Sequence, residues 1–191
     1  MTIDTSSQAF FENMYRSDAD PWDFASSEYE RRRYEIILHV LEGKRYRHAF
    51  EPGCSVGVLT HELARICSRV DAIDISPTAV KFAQERCQDY PNVYITCDSL
   101  LHPIPVDTFD LVIFSEIGYY FEEQTLRDIL RMLVARMEPQ GMMLVSHWLG
   151  SSPDHVLSGD RVHEVIAEAN GLTHRSGARY ADFRLDCWSR E

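Results

Sequence analysis

Two patterns of apolar and polar residues alternate along the 191-residue chain. Short apolar runs predict buried strands, whereas apolar residues that recur at three and four positions predict amphipathic helices. The segment 109–115 is apolar throughout its centre, as is typical of a strand buried on both faces. The tail after residue 180 alternates instead and predicts two closing antiparallel strands. Strands are predicted at 48–52, 70–74, 93–98, 109–115 and 142–148, and helices at 6–16, 27–43, 57–68, 122–138 and 159–169, with one more beginning at Ser76 and Pro77.

The order of these elements indicates one fold class. Strands that alternate with helices predict a parallel sheet in a single α/β domain. We expect a Rossmann-like sheet of seven mostly parallel strands, with an antiparallel C-terminal strand and helices on both faces. Residues 1–191 are expected to form this one domain, in which residues 1–43 make an N-terminal helical cap and residues 44–191 the core.

Capping residues mark several helix boundaries. Ser27 and Glu30 have the spacing of a capping box, and Gly43 is expected to end the helix that they open. Pro77 suits the first position of a helix, while Pro139 is expected to stop the helix that begins at residue 122.

Two residues of the N-terminal segment have both a structural and a functional interpretation. Trp22 lies in a loop with a proline, three carboxylates and a second aromatic residue, and it either packs into the body or covers a ligand. Arg33 ends a run of three arginines, which is ordinarily a solvated charged face, although one of the three could point toward a carboxylate ligand. Both residues are candidates for cofactor binding.

A turn that contains glycine follows the first predicted strand of the core. Gly53 and Gly57 remove side chains where the backbone must turn sharply or approach a ligand. Glu51 precedes the turn, and Asp74 and Asp98 end the next two predicted strands. Because ligands of doubly wound sheets bind at the carboxyl ends of the strands, this set predicts an adenosine site, with Asp74 on the ribose and Asp98 on the adenine amino group.

Two adenosine cofactors fit such a site. A nicotinamide dinucleotide places its pyrophosphate on a helix N-terminus, usually through G-x-G-x-x-G. The chain has G-x-x-x-G between Gly53 and Gly57, and no second mononucleotide-binding half follows the fourth strand. S-adenosylmethionine needs no phosphate site and is the favoured cofactor. Ser99 and Leu100 follow Asp98 and would supply a backbone N–H and an apolar edge to the adenine.

These residues resemble the motifs of class I S-adenosylmethionine-dependent methyltransferases over about residues 45–150, with Ser55 where that family usually has a third glycine. A closer resemblance, to the nodulation protein S family, covers nearly the whole chain through segments 20–24, 29–32, 50–54 and 183–186. The candidate cofactor-binding residues are Trp22, Arg33, Glu51, Gly53, Cys54, Gly57, Asp74, Ile75, Asp98, Ser99, Leu100 and Ser115.

The family resemblance also implies methyl transfer to an amine, in the family's named case the free amine of a deacetylated chitooligosaccharide. Glu116 follows the fourth strand and is a candidate to position the amine and help a water remove its proton. His147 is a second candidate for acid–base catalysis. Tyr119, Tyr120 and Trp148 are candidate substrate contacts because aromatic rings suit sugar faces, with core packing as the alternative for each.

Charge and motifs disfavour a nucleic-acid substrate. The formal net charge is -11, whereas nucleic-acid-binding proteins present basic stripes. The segment 115–118 lacks the Asn/Asp-Pro-Pro-aromatic motif of the nucleic-acid amino-methyltransferases that the class contains. His147, His155 and His163 match no zinc spacing, so no metal is expected.

The remaining composition predicts the surroundings of the protein. Its five cysteines form no C-x-x-C pair and indicate reduced thiols, and no apolar run reaches membrane-spanning length. We expect a cytoplasmic enzyme with a small-molecule amine or sugar acceptor and neither a nucleic-acid nor a membrane partner. An O-methyltransferase, a non-catalytic nucleotide-binding module and a dehydrogenase stay open as alternatives.

Overall fold

The computed structural model describes residues 7–104 and 107–191, which fall into two compact units. We call Ser7–Ser99 the N-terminal unit and Leu100–Glu191 the C-terminal unit. The start that the sequence predicts for the first helix, residue 6, lies outside the described residues.

The N-terminal unit contains three parallel strands in the order β3-β2-β1. Asp74, the last residue of β2, lies opposite Cys97 at the end of β3, so the carboxyl ends of these strands meet at one edge. The elements are α1 (Gln8–Ser17), α2 (Glu28–Leu41), β1 (Ala49–Pro52), α3 (Val58–Leu63), β2 (Val70–Asp74), α4 (Pro77–Arg86) and β3 (Val93–Cys97).

The C-terminal unit contains four strands in the order β4-β5-β7-β6. The pair β4 and β5 is parallel, with Ser115 opposite Ser146, and β7 runs antiparallel to both β5 and β6. The elements are β4 (Phe109–Ser115), a 3-10 turn (Gly118–Tyr120), α5 (Glu123–Arg136), β5 (Met137–Trp148), α6 (Gly159–Ala167), β6 (Leu172–Arg179) and β7 (Phe183–Arg190).

These strands confirm the predicted fold class. Seven strands are present in the described residues, three of their pairs are parallel, and β7 supplies the antiparallel C-terminal strand of a Rossmann-like protein. The single domain and its division at residue 43 stay predictions. None of the described helices combines the length and the apolar character that crossing a membrane requires.

The predicted end of the fifth helix, at residue 138, is wrong. Helix α5 ends at Arg136, and Met137 already belongs to β5, where it lies opposite Phe109. Proline disfavours helical backbone in the residue before it. Pro139 therefore stops the helix before Glu138 and not at Glu138. The register of the pairing then shifts before Leu111 meets Met142, within the part of β5 where Gln140 has a φ of +63°.

One other helix end and one helix cap differ from the prediction. Helix α3 ends at Leu63 instead of residue 68. Ser68 donates its N–H to the carbonyl of Tyr46 and not to a carbonyl of the helix. Ser27 begins α2 as expected but makes no side-chain capping bond. Glu30, the other member of the predicted capping box, forms a buried ion pair with Arg33 instead.

Gly57 allows α3 to begin against α4. Its φ is +77°, and a Cβ at this position would lie 2.9 Å from the Cα and Cβ of Ala83. The glycine therefore meets two requirements, a left-handed backbone and the absence of a side chain at a close helix contact.

We predict that Gly57→Ala lowers the free energy of unfolding by more than Gly43→Ala does. Gly43 has a φ of +80° with nothing within 4 Å, so alanine there adds only backbone strain, about 1 kcal/mol. At Gly57 the clash with Ala83 adds roughly 1–3 kcal/mol. Urea unfolding of both variants measures the difference, and equal losses would contradict a packing restriction at Gly57.

Candidate active site

The glycine turn between β1 and α3 has three residues in the left-handed conformation. The φ angles of Gly53, Ser55 and Gly57 are +73°, +51° and +77°. Ser55 occupies the position at which the related class usually has glycine, and a non-glycine residue is uncommon at positive φ. Two contacts hold it there: its N–H donates to Asp74 Oδ2 at 2.9 Å, and the hydroxyl of Tyr15 donates to its Oγ at 2.6 Å.

The carboxylate of Asp74 joins the turn to the start of α4. Its Oδ2 accepts from the N–H of Ser55, and its Oδ1 accepts from the N–H of Ser76 at 2.9 Å. Burial raises the pKa of Asp74 to about 6, against the effect of these backbone hydrogen bonds. A carboxylate has about four lone-pair sites, so Asp74 keeps acceptor capacity for a ribose hydroxyl.

Glu51 supplies a second buried carboxyl group at the same turn. Thr60 donates its hydroxyl to Glu51 Oε2 at 2.6 Å. Burial raises the pKa of Glu51 to about 7, while the Thr60 bond and the charge of Arg33 lower it and the charge of Asp74 raises it. A cation beside this group would favour its ionised form, which suits the sulfonium or amino group of S-adenosylmethionine.

Arg33 is buried, and its partner is a protein carboxylate. Its Nε donates to Glu30 Oε2 at 3.0 Å, and its guanidinium lies 4.9 Å from the ring centre of Tyr34. Arg33 influences the glycine turn through its charge, which favours ionisation of Glu51. Direct cofactor binding by Arg33 stays a prediction.

Helix α1 is bound to the segment that follows β2. The sequence alone did not predict this contact. Glu12 accepts from the hydroxyls of Ser76 and Thr78 at 2.7 and 2.8 Å, and Gln8 donates to the carbonyl of Ile75 at 3.0 Å. These partners lie more than 60 residues away in the sequence, so no local pattern could have identified them. The side of α1 that carries them also presents Tyr15 to Ser55.

Trp22 packs in an aromatic cluster beside α1. Its ring centre lies 5.5 Å from that of Tyr15, 5.7 Å from Phe24 and 6.3 Å from Phe11. The side chain is half-buried and fulfils the packing interpretation of its loop. The contact with Tyr15 also connects it to the glycine turn, and its predicted role over the cofactor is still untested.

The acid after β3 lies next to the acid of β2. The N–H of Asp98 donates to the backbone carbonyl of Asp74 at 3.0 Å, and Asp98 Oδ1 accepts from the N–H of Ser99 at 2.7 Å. Cys54 is buried in the glycine turn, and its N–H donates to the carbonyl of Ile73. Leu100, the first residue of the C-terminal unit, is buried.

In the C-terminal unit, Glu116 follows β4 in a constrained turn. Its φ is +57°, and its N–H donates to the carbonyl of Ser146 at 3.0 Å. Its carboxylate accepts from the hydroxyl of Tyr119 at 2.6 Å and from the N–H of Trp148 at 3.1 Å. The orientation of this carboxylate is therefore fixed by two donors. Ser115 before it is half-buried, and its predicted cofactor contact is untested.

Four aromatic side chains gather beside Glu116. His155 stacks on Tyr119 with ring centres 3.7 Å apart, and it meets Tyr120 and Trp148 edge-on at 5.3 and 6.1 Å. Burial lowers the pKa of His155, while Asp154 and Glu116 act in the opposite direction. Its Nδ1 is enclosed and has no hydrogen-bond partner among residues 7–104 and 107–191. Sequence reasoning considered His155 only as a metal ligand.

His147 is fully buried behind the same turn. Its Nε2 accepts from the N–H of Gly118 at 3.0 Å, and its Nδ1 lies 3.4 Å from Nε2 of His163. Both ring nitrogens therefore have protein partners. The catalytic role that the sequence suggests for His147 stays a prediction, and its contacts connect it to the turn that carries Glu116.

Arg184 forms an ion pair within β7. It belongs to the tail segment 183–186 that resembles the nodulation protein S family. Its Nε donates to Asp186 Oδ2 at 2.7 Å.

A left-handed glycine turn after the first strand, with a buried acid at the end of the second, is the cofactor-binding arrangement of a class I methyltransferase. The fold and the residues present fit S-adenosylmethionine, since Asp74 retains acceptor capacity and Glu51 suits a cation. The chain belongs to the nodulation protein S family: the family model "Nodulation protein S (NodS)" matches residues 7–172. The predicted family, the enzyme class and S-adenosylmethionine as its methyl donor are thereby confirmed.

Two relatives support the assignment. The nodulation protein S of Azorhizobium caulinodans is 27% identical over 183 residues, which cover 93% of this chain and 86% of the relative. That of Bradyrhizobium diazoefficiens is 28% identical over 141 residues, 72% of this chain, and the chain spans 65% of the length of that relative.

One similar solved structure is that of the N-methyltransferase NodS from Bradyrhizobium japonicum WM9 in complex with S-adenosyl-L-homocysteine. The likeness has a TM-score of 0.81 at 23% sequence identity, and it covers 93% of this chain and 98% of that chain. At this identity the likeness establishes the shared fold.

We predict that Asp74→Asn weakens binding of S-adenosylhomocysteine about tenfold or more. The amide directs an N–H at one of the backbone donors and loses the charge that strengthens a ribose hydrogen bond, a loss worth roughly 1.5–3 kcal/mol. Isothermal titration calorimetry measures the affinity. Asp89→Asn, the same change at an exposed residue, is the control, and a folded Asp74→Asn protein with unchanged affinity would remove Asp74 from the ribose site.

We predict that Glu51→Gln reduces the loss of stability between pH 5 and pH 8. The folded-state pKa of Glu51, about 7, lies above its ordinary value of 4.5, so neutral Glu51 stabilises the fold at low pH. That contribution is lost as the pH rises through the folded-state pKa. Glutamine does not ionise. Between pH 5 and pH 8 the free energy of unfolding of Glu51→Gln should therefore fall less than that of the wild type, by up to about 3 kcal/mol.

Urea unfolding at both pH values measures this effect. The exposed change Glu85→Gln should leave the pH dependence of the wild type unaltered. Parallel pH profiles for Glu51→Gln and the wild type would contradict a raised pKa at Glu51.

Proposed function

We propose that the protein transfers the methyl group of S-adenosylmethionine to the free amine of an amino sugar or a chitooligosaccharide-like acceptor. The observation that carries the proposal is the carboxylate of Glu116, fixed by Tyr119 and Trp148 beside an aromatic surface. The name of the similar solved N-methyltransferase supports transfer to nitrogen, and the oligosaccharide acceptor is the one that membership of the nodulation protein S family implies.

Glu116 has the properties that an amine acceptor requires. An amine in water is largely protonated near neutral pH, so its cation is attracted to a carboxylate of fixed orientation. The same carboxylate holds the nitrogen while a water takes the proton, and the lone pair is then available. Because Glu116 is immobilised by two donors, the nitrogen is oriented before reaction, and such positioning contributes roughly 7–11 kcal/mol at best.

The aromatic side chains provide the surface for a sugar. Trp148 is half-buried and Tyr119 and Tyr120 are more enclosed, so Trp148 offers the larger accessible face. We add His155 to this acceptor surface, since its ring stacks on Tyr119 and its enclosed Nδ1 gains a partner if a sugar hydroxyl reaches it.

The N-terminal unit contributes the binding of the methyl donor. Asp74 accepts from the ribose, and Glu51 stabilises positive charge near the glycine turn. When bound, S-adenosylmethionine supplies a methyl carbon to the amine nitrogen as the carbon–sulfur bond breaks and its electron pair returns to sulfur. We also propose a small-molecule acceptor in the cytoplasm, in keeping with the net charge of -11 and with five cysteines that form no C-x-x-C pair.

We predict that Glu116→Gln lowers kcat for an amine acceptor about tenfold or more, because a neutral amide attracts an ammonium group less than a carboxylate does. The affinity for S-adenosylhomocysteine should stay within about twofold. Transfer of a labelled methyl group to deacetylated chitooligomers measures kcat. Glu164→Gln, an exposed change in the same unit, is the matched control.

The acceptor panel distinguishes the alternatives. Transfer to hydroxyl acceptors alone would identify an O-methyltransferase. Binding of S-adenosylhomocysteine without transfer to any acceptor would identify a nucleotide-binding module, and absence of binding at millimolar ligand would overturn the donor. Equal rates for Glu116→Gln and the wild type would remove Glu116 from the mechanism.

A further inference from the structure

We propose that Asp186 is a positioning residue that acts through His163 and His147 to set the turn carrying Glu116. The three side chains form a buried chain of hydrogen bonds that ends on the N–H of Gly118. The inference rests on the proposed function in one respect, since it assigns the acceptor amine to Glu116.

The proton positions in this chain follow from its two ends. The peptide N–H of Gly118 can only donate, and it lies 3.0 Å from Nε2 of His147. Nε2 must therefore be unprotonated, and the neutral ring carries its proton on Nδ1. That proton points to Nε2 of His163, 3.4 Å away, which must in turn be an acceptor.

The other end of the chain requires the same arrangement. With Nε2 of His163 as the acceptor, its proton is on Nδ1, which lies 2.7 Å from Asp186 Oδ2. An ionised carboxylate only accepts hydrogen bonds, so the two ends agree without any reversal. Burial disfavours ionisation of Asp186, but the hydrogen bonds from His163 and His174 hold its pKa at about 2.

The position of Asp186 is closely defined by its neighbours. Arg184 donates to Oδ2 at 2.7 Å, and Nε2 of His174 lies 3.1 Å from Oδ1. Gly177 lies opposite Asp186 in the β6–β7 pair, and a Cβ on Gly177 would overlap Oδ1. The two imidazoles are fully buried, and Asp186 is 4% exposed, so water does not substitute for these contacts.

The chain ends on the residue that determines the turn. Gly118 lies between Glu116 and Tyr119, whose side chains bond to each other. A Cβ on Gly118 would lie 2.9 Å from His147 Nε2, so the turn is already in close contact with that ring. Holding the N–H of Gly118 therefore fixes the backbone between the carboxylate and the tyrosine that orients it.

The arrangement holds only while both histidines are neutral. Burial lowers the pKa of His163, opposed by Asp186. Protonation of Nε2 of His163 would place its N–H opposite the Nδ1–H of His147, and two donors cannot bond to each other. The chain of hydrogen bonds is therefore intact above the ordinary histidine pKa and is lost as the pH falls through the folded-state pKa of His163. The charged and titratable groups that act on His163 or Asp186 are Arg184, Asp160, His174 and His147.

The first test is the protonation state of the two rings in the wild-type protein. Nitrogen-15 NMR of the histidine rings at pH 7.5, assigned with His147→Gln and His163→Gln, should find both residues as the Nδ1–H tautomer. An Nε2–H tautomer at either residue would overturn the proposal. This measurement requires neither an acceptor nor turnover.

The second test compares two variants of similar volume. Asp186→Asn keeps an oxygen that accepts from His163, whereas Asp186→Leu keeps the volume without an acceptor. We expect Asp186→Leu to shift the amide resonance of Gly118, to give mixed ring tautomers and to lower kcat about tenfold or more, with the affinity for S-adenosylhomocysteine within twofold. Asp186→Asn should retain the tautomers and most of kcat. Asp89→Asn and Asp89→Leu are the matched surface controls.

The outcomes separate this inference from the proposed function. A folded Asp186→Leu protein with wild-type kcat and an unshifted Gly118 amide would overturn the positioning role. If Asp186→Leu does not fold, the tautomers of the wild type still decide. If the wild type methylates no amine, the proposed function fails, while the tautomers and the Gly118 amide continue to test the chain from Asp186.

Discussion

The hydrogen bonds of the Asp74 carboxylate are the constraint on which the glycine turn of the N-terminal unit depends. One oxygen holds the N–H of Ser55 in the glycine turn, and the other holds the N–H of Ser76 at the start of α4. A buried carboxylate has lost the water that would solvate its charge, and here the backbone N–H groups of Ser55 and Ser76 replace that water. The same group thus shapes the turn and remains available to a ribose.

Helix α1 adds a second set of contacts to that constraint. Glu12 binds the hydroxyls of Ser76 and Thr78, and Tyr15 binds Ser55. The left-handed backbone of Ser55 is therefore supported from two directions, by Asp74 and by α1. At this positive φ a serine is strained, whereas a glycine would not be. The hydrogen bond between the hydroxyls of Tyr15 and Ser55 offsets that strain.

The C-terminal unit uses the same principle at Glu116. A non-glycine residue at positive φ is held by donors to its carboxylate and by a backbone bond to Ser146. The histidine chain from Asp186 fixes the neighbouring peptide of Gly118. In both units, therefore, a carboxylate helps to hold a turn that has a non-glycine residue at positive φ, Ser55 in one and Glu116 in the other, and contacts distant in the sequence support each turn.

The sequence by itself predicted the positions of β1 to β4, the fold class and the acids at the strand ends, because apolar periodicity and glycine spacing are local properties. It placed both closing strands after residue 180, whereas β6 lies at Leu172–Arg179. It placed β4 at residues 109–115 and marked Asp74 and Glu116. The structure alone decided that Pro139 lies inside β5, that Ser27 makes no cap and that Arg33 binds Glu30. It also brought Glu12 to Thr78 and Asp186 to His163, because such pairings depend on how the chain closes on itself, which residue spacing does not encode.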